Sequence, residues 1–245
     1  HKDLHPGNIV VNPDTQQVQI IDFGLSSLLS REQAMMEAPE NLEGILAYIS
    51  PEQTGRMNRA LDYRTDFYTL GISLYQLLTG HLPFEADDAM NWVHTHIAAK
   101  ATPIPTYRKD VPTVLVQVVD KLLSKNAEDR YQSALGLKHD LTVCLKQWQA
   151  KAGIEVFELG QQDISDRFQL PQKLYGREKE VQILLNSFAH VRKKHQAHLL
   201  AVAGYSGIGK SALVHEVHKP IAAHGGVFIE GKFDQFQHNI PYSAL

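Results

Sequence analysis

Apolar residues change their spacing several times along the chain, and each change predicts a different kind of element. Two short β-branched runs, residues 9–11 and 18–21, flank the turn sequence Asn12-Pro13-Asp14 and predict a small hairpin. From Asp66 onwards the apolar positions fall nearly all round a helix, which is typical of a helix buried inside a domain. Gly80 and then Pro83 predict its end.

The same spacing argument divides the chain into two parts. Apolar residues three and four positions apart predict helices over 114–124 and 133–148, so the first part is mainly α. The pattern then fails and the composition becomes polar, which predicts a linker over 151–169, with the boundary near residue 165. Beyond it, predicted helices over 178–191 and 211–223 alternate with predicted strands over 198–203 and 226–229. We therefore expect a multi-domain fold: a mainly α domain over 1–150, the linker over 151–169, and the N-terminal part of an α/β domain over 170–245.

Composition narrows the classes of protein without identifying a function. With 245 residues, 43% of them hydrophobic and 21% charged, the chain has the make-up of a soluble globular protein with two folding units. A formal net charge of -3 gives no electrostatic reason to expect nucleic acid as a partner. Cys144 is the only cysteine, which excludes an internal disulfide and a four-cysteine zinc site and favours a reducing, cytoplasmic location. No apolar run approaches the roughly 20 residues that cross a bilayer, so no membrane segment is expected in the chain.

Three side chains that can bind a metal through oxygen, Asp3, Asn8 and Asp22, lie near the start of the chain. The run His1-Lys2-Asp3-Leu4-His5-Pro6-Gly7-Asn8 is followed, after the predicted hairpin, by Asp22-Phe23-Gly24. Phosphoryl transfer needs a carboxylate beside the accepting hydroxyl and further oxygen ligands for magnesium. Asp3, Asn8 and Asp22 supply both requirements in that order.

In this order the motifs resemble the catalytic and metal-binding loops of eukaryotic-type protein kinases. The resemblance implies the C-terminal lobe of that fold over 1–150, with ATP and Mg2+ as cofactors and serine or threonine hydroxyls of a protein substrate as acceptors. It assigns Asp3 as the catalytic base and Asn8 and Asp22 as magnesium ligands. The family's glycine-rich loop, strand lysine and helix glutamate would all precede residue 1. We therefore expect an internal fragment that lacks the N-terminal lobe and is inactive by itself.

The resemblance also assigns structural roles near these loops. His1 and Phe23 would stack in an internal hydrophobic spine, and Gly24 completes the metal-binding loop. Asp66, in the first turn of the central helix, would cap backbone amides of the catalytic loop.

A further resemblance lies at Ser50-Pro51-Glu52, which is similar to the end of a kinase activation segment. Glu52 would form a buried ion pair with Arg130, because a buried charge needs a partner of opposite sign.

Three residues depart from the family pattern, and all three concern chemistry rather than architecture. His5, which we keep as a catalytic candidate, stands where serine/threonine kinases usually carry a lysine that steadies the transferring phosphoryl group. A neutral imidazole supplies less charge there. Ile45 replaces a threonine that hydrogen-bonds the catalytic aspartate, and Lys2 replaces an arginine that binds a phosphorylated activation segment. A pseudokinase scaffold that binds ATP and partners without transfer therefore stays open as an alternative.

A second motif lies between the strand predicted over 198–203 and the helix predicted over 211–223. Residues 204–211, Gly-Tyr-Ser-Gly-Ile-Gly-Lys-Ser, form a complete GxxxxGKS phosphate loop. Its glycines let the backbone form a nest for the β-phosphate, Lys210 would reach the β- and γ-phosphates, and Ser211 would bind magnesium. The predicted ATP-binding residues are Gly204, Gly207, Ile208, Gly209, Lys210 and Ser211.

The residues that flank this loop resemble AAA-related and signal-transducing ATPases. Leu174-Tyr175-Gly176-Arg177-Glu178 is similar to the motif before their first helix, where Tyr175 and Arg177 would contact the base. We interpret residues 227–229 and Glu230 as the second strand and its following loop, not as a hydrolytic motif. Nucleotide binding is therefore better supported than hydrolysis.

The combination of a kinase lobe, a linker and a phosphate-loop ATPase resembles large bacterial, notably cyanobacterial, multi-domain signalling kinases. The run over residues 49–59, Ile-Ser-Pro-Glu-Gln-Thr-Gly-Arg-Met-Asn-Arg, carries part of this resemblance. It implies signalling partners and, elsewhere in the parent protein, sensor and histidine-kinase modules.

Overall fold

The computed structural model describes residues 1–27, 32–33, 45–57, 60–151, 153–164, 174–217 and 220–221. Backbone packing divides the chain into two units, His1–Glu178 and Lys179–Leu245. In the described part of the first unit, the strands are β1 (Ile9–Val11), β2 (Val18–Ile20), β3 (Glu32–Gln33) and β4 (Ala60–Leu61). The helices that follow are α1 (Arg64–Thr79), α2 (Ala89–Ala98), α3 (Ile104–Tyr107), α4 (Thr113–Leu122) and α5 (Ala134–Lys151).

The predicted hairpin is confirmed. β1 and β2 are antiparallel, with Ile9 opposite Ile20 and Val11 opposite Val18. Asn12 stabilises the turn, because its side-chain oxygen accepts hydrogen bonds from the backbone N–H groups of Asp14 at 2.9 Å and Thr15 at 3.1 Å. Such Asx turns let the chain reverse without a glycine. A second strand pair, β3 with β4, is also antiparallel and was not predicted.

The predicted central helix, α1, is also confirmed as a buried element. The carboxylate of Asp62 accepts a hydrogen bond from the backbone N–H of Arg64 at 2.9 Å, which satisfies an amide that the first helical turn leaves unpaired. The helix ends at Gly80, whose φ of 77° lies in the left-handed region that favours glycine at this position. Gly71 lets α4 approach closely, since a Cβ at that position would lie 2.8 Å from the Cβ of Leu122.

Two apolar clusters pack against α1. The first contains Tyr68, Ile72, Tyr75, Phe84, Ile104, Val119 and Leu123. The second contains Phe67, Val118, Leu122, Tyr131 and Leu137. Because α1 contributes to both clusters, any residue that it presents at its N-terminal turn is held on a rigid base.

Residues 153–164, within the segment predicted to be a linker, are part of the first unit and are hydrogen-bonded to residues at and near the start of α5. The carboxylate of Asp163 accepts hydrogen bonds from the backbone N–H groups of Gln132 at 2.7 Å and Ser133 at 2.8 Å, next to the start of α5. The backbone N–H of Gly160 donates to the Asp140 carboxylate at 2.8 Å. A polar residue of this segment, Asp163, thus bonds to backbone amides at the start of α5. Polar composition therefore did not indicate whether the segment packs.

In the second unit, the described residues form α6 (Glu178–Lys194) and α7 (Lys210–His215). Both predicted helices are present in the described residues: α6 is longer than the prediction over 178–191, whereas α7 covers only part of the prediction over 211–223. The strand predicted over 198–203 is wrong for the described residues, which have no regular secondary structure there, and Leu199 is 95% exposed. A parallel strand exists only through hydrogen bonds to a neighbour. The strand predicted over 226–229 lies outside the described residues.

Candidate functional site

The backbone just before Asp3 adopts an unusual conformation that two side chains hold in place. Lys2 has a φ of 70°, in the left-handed region that a lysine rarely occupies. Its backbone N–H donates to the Asp66 carboxylate at 2.7 Å. Its carbonyl accepts from the side-chain amide of Gln53 at 2.7 Å. Asp66 also accepts from the backbone nitrogen of His1 at 2.8 Å, so α1 supports the start of this loop directly.

Asp3 lies beside Asn8, the other polar residue of the loop. The Asn8 side-chain amide donates to the Asp3 backbone carbonyl at 2.9 Å and approaches the Asp3 carboxylate at 3.4 Å. Since the amide nitrogen faces Asp3, the amide oxygen of Asn8 points away from it and keeps its acceptor lone pairs. The Asp3 side chain is 18% exposed, so a carboxylate oxygen can be reached from outside.

His5 is held by its own loop: its backbone N–H donates to the Asp3 carbonyl at 3.2 Å, whereas its ring makes no hydrogen bond to Asp3. Its Nδ1 accepts a hydrogen bond from the backbone N–H of Gly7 at 3.1 Å, and so caps the 3-10 helix Pro6–Asn8. Its Nε2 lies 3.6 Å from an Asp3 carboxylate oxygen, which is too long for a hydrogen bond. The His5 ring lies 5.7 Å from that of Tyr48. Ile45, the residue that lacks the expected hydroxyl, is 48% exposed.

The hairpin brings Asp22 next to Asn8. The backbone N–H of Ile21 donates to the Asn8 carbonyl at 3.0 Å, which fixes the two loops together. Asp22 has a φ of 60°, and one of its carboxylate oxygens accepts from the backbone N–H of Gly24 at 3.3 Å. The donor set of one carboxylate and one amide oxygen suits Mg2+, which keeps several water or phosphate ligands and needs few from the protein. Among the described residues no group of three or more His, Cys, Asp or Glu side chains has the geometry of a metal site.

His1 and Phe23 touch but do not form the buried stack that was predicted. Their ring centroids are 4.8 Å apart and the planes are tilted by 58°. The His1 ring also hydrogen-bonds to the Ile21 carbonyl through Nε2 at 3.0 Å, which sets its tilt. Phe23 is 61% exposed, because only one of its faces is covered by described residues.

Glu52 and Arg130 form a buried, two-pronged ion pair. The guanidinium nitrogens lie 2.7 and 2.8 Å from the two carboxylate oxygens, and the hydroxyl of Thr65 donates to the carboxylate at 3.0 Å. Burial by itself would raise the pKa of Glu52, but the charge and hydrogen bonds of Arg130 outweigh it and lower the pKa to about 2. Arg130 also donates to the carbonyls of Arg64 and Ser124, so the pair joins α1 to the loop before α5.

Gln53 is a site residue that sequence reasoning missed. Its side-chain oxygen accepts from the backbone N–H of Ser50 at 2.8 Å, while its nitrogen donates to the carbonyl of Lys2. The spacing Ser-x-x-Gln over 50–53 is a capping-box pattern and could have revealed the first bond. Nothing local in the sequence signals the second, which spans 51 positions.

The predicted phosphate loop precedes α7 as a glycine-rich turn. Gly207 and Gly209 have φ values of 80° and 92°, which side chains disfavour. A Cβ at Gly204 would lie 3.0 Å from Ile208. Lys210, the first residue of α7, donates to the carbonyls of Gly204 and Tyr205, both at 2.8 Å.

The side chain of Lys210 therefore folds back over the loop in which a phosphate would bind. Ser211, the predicted magnesium ligand, is exposed at the start of α7. Tyr175, one of the two predicted base contacts, is 65% exposed. Residues 227–230, whose role was considered from sequence, lie outside the described part of the chain.

None of the described helices is both long and apolar enough to cross a membrane.

Comparison with known protein families gives two matches, which follow one another along the chain. The model of the protein kinase domain matches residues 1–142. The model of the AAA ATPase domain matches residues 173–245.

Curated relatives match the chain over different lengths. "Hybrid signal transduction histidine kinase G" of Dictyostelium discoideum is 36% identical over 218 residues, which is 81% of this chain and 6% of that protein. "Probable serine/threonine-protein kinase PknB" of Bifidobacterium longum is 32% identical over 141 residues, or 58% of this chain and 20% of that protein. "Serine/threonine-protein kinase PknB" of Mycobacterium tuberculosis is 33% identical over 141 residues, or 58% of this chain and 22% of that protein. The chain thus spans less than a quarter of the length of each of these relatives.

Proposed function

The chain belongs to the protein kinase family, whose model matches residues 1–142, and from that membership we propose that it contains the catalytic C-terminal lobe of a serine/threonine kinase. The activity would be transfer of the γ-phosphate of ATP to serine or threonine hydroxyls of a protein substrate. The observation that carries the proposal is the convergence of Asp3, Asn8 and Asp22 at one end of a single hairpin. The kinases of Bifidobacterium and Mycobacterium that align with residues of this lobe support the choice of acceptor.

In the proposed reaction the side chains position groups and move one proton. Asp3 orients the substrate hydroxyl and accepts its proton as the hydroxyl oxygen bonds to the γ-phosphorus and the bond to the bridging β–γ oxygen breaks. Asn8 holds Asp3 through its amide nitrogen. Asn8 and Asp22 would hold Mg2+ through oxygen, and that ion would neutralise charge on the phosphates.

The second unit supplies a separate nucleotide-binding loop in this proposal. The match to the AAA ATPase domain, together with the left-handed glycines and Lys210 at the start of α7, supports ATP binding there. Lys210 would exchange its bonds to the loop carbonyls for bonds to the β- and γ-phosphates, because charged oxygens are the stronger acceptors. Ser211 would contribute an oxygen to magnesium.

We place both units in a larger signalling protein of the multi-domain type, with sensor and histidine-kinase modules elsewhere. The Dictyostelium hybrid histidine kinase supports this arrangement, because its similarity extends over 81% of the chain and so runs from the first matched domain into the second. The partners of this larger protein would be a protein substrate and signalling proteins of a cytoplasmic pathway.

One observation favours a second candidate, a nucleotide-binding scaffold that does not transfer phosphate. His5 occupies the position of the phosphate-steadying lysine, and its Nδ1 is engaged by the backbone of Gly7. A neutral ring there gives the transferring group less positive charge.

Substitution of the proposed base decides between the two candidates. We expect Asp3→Asn in the complete natural protein to reduce transfer of labelled phosphate from ATP to a general protein acceptor by at least about a thousandfold, because the amide cannot accept the proton. Thermal unfolding should stay unchanged, since Asp3 lies at the edge of the fold. Asp14→Asn, an exposed aspartate in the hairpin turn, is the matched control and should transfer at the wild-type rate.

Equal transfer by the wild type and Asp3→Asn would contradict the assignment of Asp3. Binding of ATP without transfer by the wild type would favour the scaffold.

A further inference from the structure

The side chain of Gln53 connects two segments that lie 51 positions apart in sequence. It follows Glu52 in the short 3-10 helix Pro51–Thr54, and it reaches the backbone carbonyl of Lys2, directly before Asp3. We propose that Gln53 is a positioning residue for Asp3, a role that rests on the proposed kinase activity. It holds the peptide between Lys2 and Asp3 in the orientation that the base requires.

The need for such a support follows from the backbone of Lys2. A lysine with a φ of 70° is strained, and a residue of this kind persists only where its surroundings fix it. Asp66 holds the N–H of Lys2 and Gln53 holds its carbonyl, both at 2.7 Å. The two supports come from different elements, so neither can replace the other.

The chemistry of the two bonds requires an amide at position 53. The backbone N–H of Ser50 can only donate, so it must meet the side-chain oxygen of Gln53. The carbonyl of Lys2 can only accept, so it must meet the nitrogen. A carboxylate could make the first bond but would repel the second group. An apolar side chain could make neither.

The position of Gln53 is itself fixed by the buried frame of the first unit. Its neighbour Glu52 is 4% exposed and is bound through both oxygens to Arg130. Gln53 therefore links the backbone before Asp3 to the neighbouring ion pair, which joins α1 to the loop before α5. An error of about 1 Å in the placement of a reacting group can cost about a hundredfold in rate, so this link bears on turnover.

The test compares two substitutions of Gln53, which lose different hydrogen bonds, with a control substitution of another glutamine. Gln53→Glu keeps the bond from Ser50 and loses the one to Lys2, whereas Gln53→Met loses both. Gln117→Glu, which changes an exposed glutamine of α4, controls for added charge. Two readouts are taken: steady-state kinetics of the complete natural protein with ATP and a protein acceptor, and amide hydrogen exchange of residues 1–8 in the 245-residue chain.

We expect both Gln53 variants to lower kcat about tenfold, with KM for ATP changed less than about twofold, because orientation affects the transition state and not ground-state binding. Exchange in residues 1–8 should accelerate at least about fivefold in both, while the midpoint of thermal unfolding stays that of the wild type. Gln117→Glu should match the wild type in every measurement.

Wild-type kcat and exchange in Gln53→Glu, with losses only in Gln53→Met, would assign the effect to Ser50 and overturn the proposal. Unchanged exchange in both variants would overturn it as well. If the wild type transfers no phosphate, the proposed function fails, but hydrogen exchange still tests the link between Gln53 and Lys2.

Discussion

Two residues beside the proposed chemistry, Lys2 and Asp22, adopt a left-handed backbone conformation without being glycine. Such conformations persist only where the surroundings determine them, and they concentrate at functional sites. Around Lys2 the determinants are Asp66 and Gln53. Around Asp22 the structure shows the bond from Gly24 to its own side chain. Strain at both positions fixes the backbone beside the proposed base and at the proposed metal ligand, at the same end of one hairpin.

At the same scale, the Glu52–Arg130 pair makes stability depend on pH. The pKa of Glu52 is about 2 in the folded chain and about 4.5 when unfolded, so the unfolded state binds more protons between these values. Stability from this group is therefore fully present above about pH 4.5 and is lost as pH falls towards 2. The shift corresponds to ~3 kcal/mol.

We expect Glu52→Gln to lower the free energy of unfolding of the first unit by about 3–5 kcal/mol at pH 7, because it leaves the Arg130 charge buried without a counter-ion. The stability lost between pH 4.5 and 2 should be correspondingly smaller in the variant. Urea denaturation followed by tryptophan fluorescence measures both, since Trp92 and Trp148 lie in the first unit.

Glu155→Gln is the control, because Glu155 also pairs with a cation, Lys151, but in an exposed position. It should leave unfolding unchanged. If Glu155→Gln lowered the free energy of unfolding as much as Glu52→Gln does, burial of the Glu52–Arg130 pair would not explain its contribution to stability.

At the scale of elements, local patterns were sufficient where an element is defined by its own residues. The hairpin followed from β-branched runs around Asn12, and α1 followed from apolar positions all round it. The strand over 198–203 failed, because an apolar run by itself identifies neither burial nor the neighbour to which a strand pairs. Gln53 and Asp163 were missed for a related reason: each bonds to backbone groups 30 or more positions away. The motif residues of the candidate site could be found from the sequence, whereas the side chains that hold them could not.

Attachment of residues 153–164 to α5 depends on a glycine. A Cβ at Gly136 would lie 2.6 Å from the Cα of Asp163, closer than real contacts allow. We expect Gly136→Ala to detach this segment and to lower the free energy of unfolding by about 1–3 kcal/mol. Hydrogen exchange of residues 153–164 should accelerate in step, and Asp163→Ala should give the same acceleration without the steric change.

Gly153→Ala provides the comparison, since the nearest atom to a Cβ at Gly153 is a carbonyl oxygen 4.0 Å away. Exchange at the wild-type rate in Gly136→Ala would show that the segment can shift without detaching.

At the scale of the whole molecule, the kinase match lies in one packed unit and most of the AAA ATPase match lies in the other. The division matters for experiments, because a change in one unit can be scored without disturbing the other. Similarity to the Dictyostelium protein extends over 81% of this chain, which is more than either domain match covers alone.

We expect Lys210→Ala to weaken binding of magnesium–ATP to the 245-residue chain by at least about tenfold, because the lysine supplies the charge that meets the β- and γ-phosphates. Isothermal titration calorimetry measures the affinity. Tryptophan-detected unfolding of the first unit should stay unchanged, which separates a binding defect from a folding defect. Lys194→Ala, at the exposed end of α6, should bind as the wild type does. Wild-type affinity in Lys210→Ala would remove the phosphate loop from the proposal.

Cys144 offers an internal reporter of opening in the first unit. It is the only sulfhydryl in the chain, it is 3% exposed on the inner side of α5, and burial raises its pKa, so a thiol reagent can reach it only when α5 opens. Pulsed alkylation of the unmodified chain would therefore time the opening of the first unit alone, even while the second unit binds or releases ATP. Cys144 is therefore a natural labelling site for measuring whether a nucleotide bound to the second unit changes the rate at which the first unit opens.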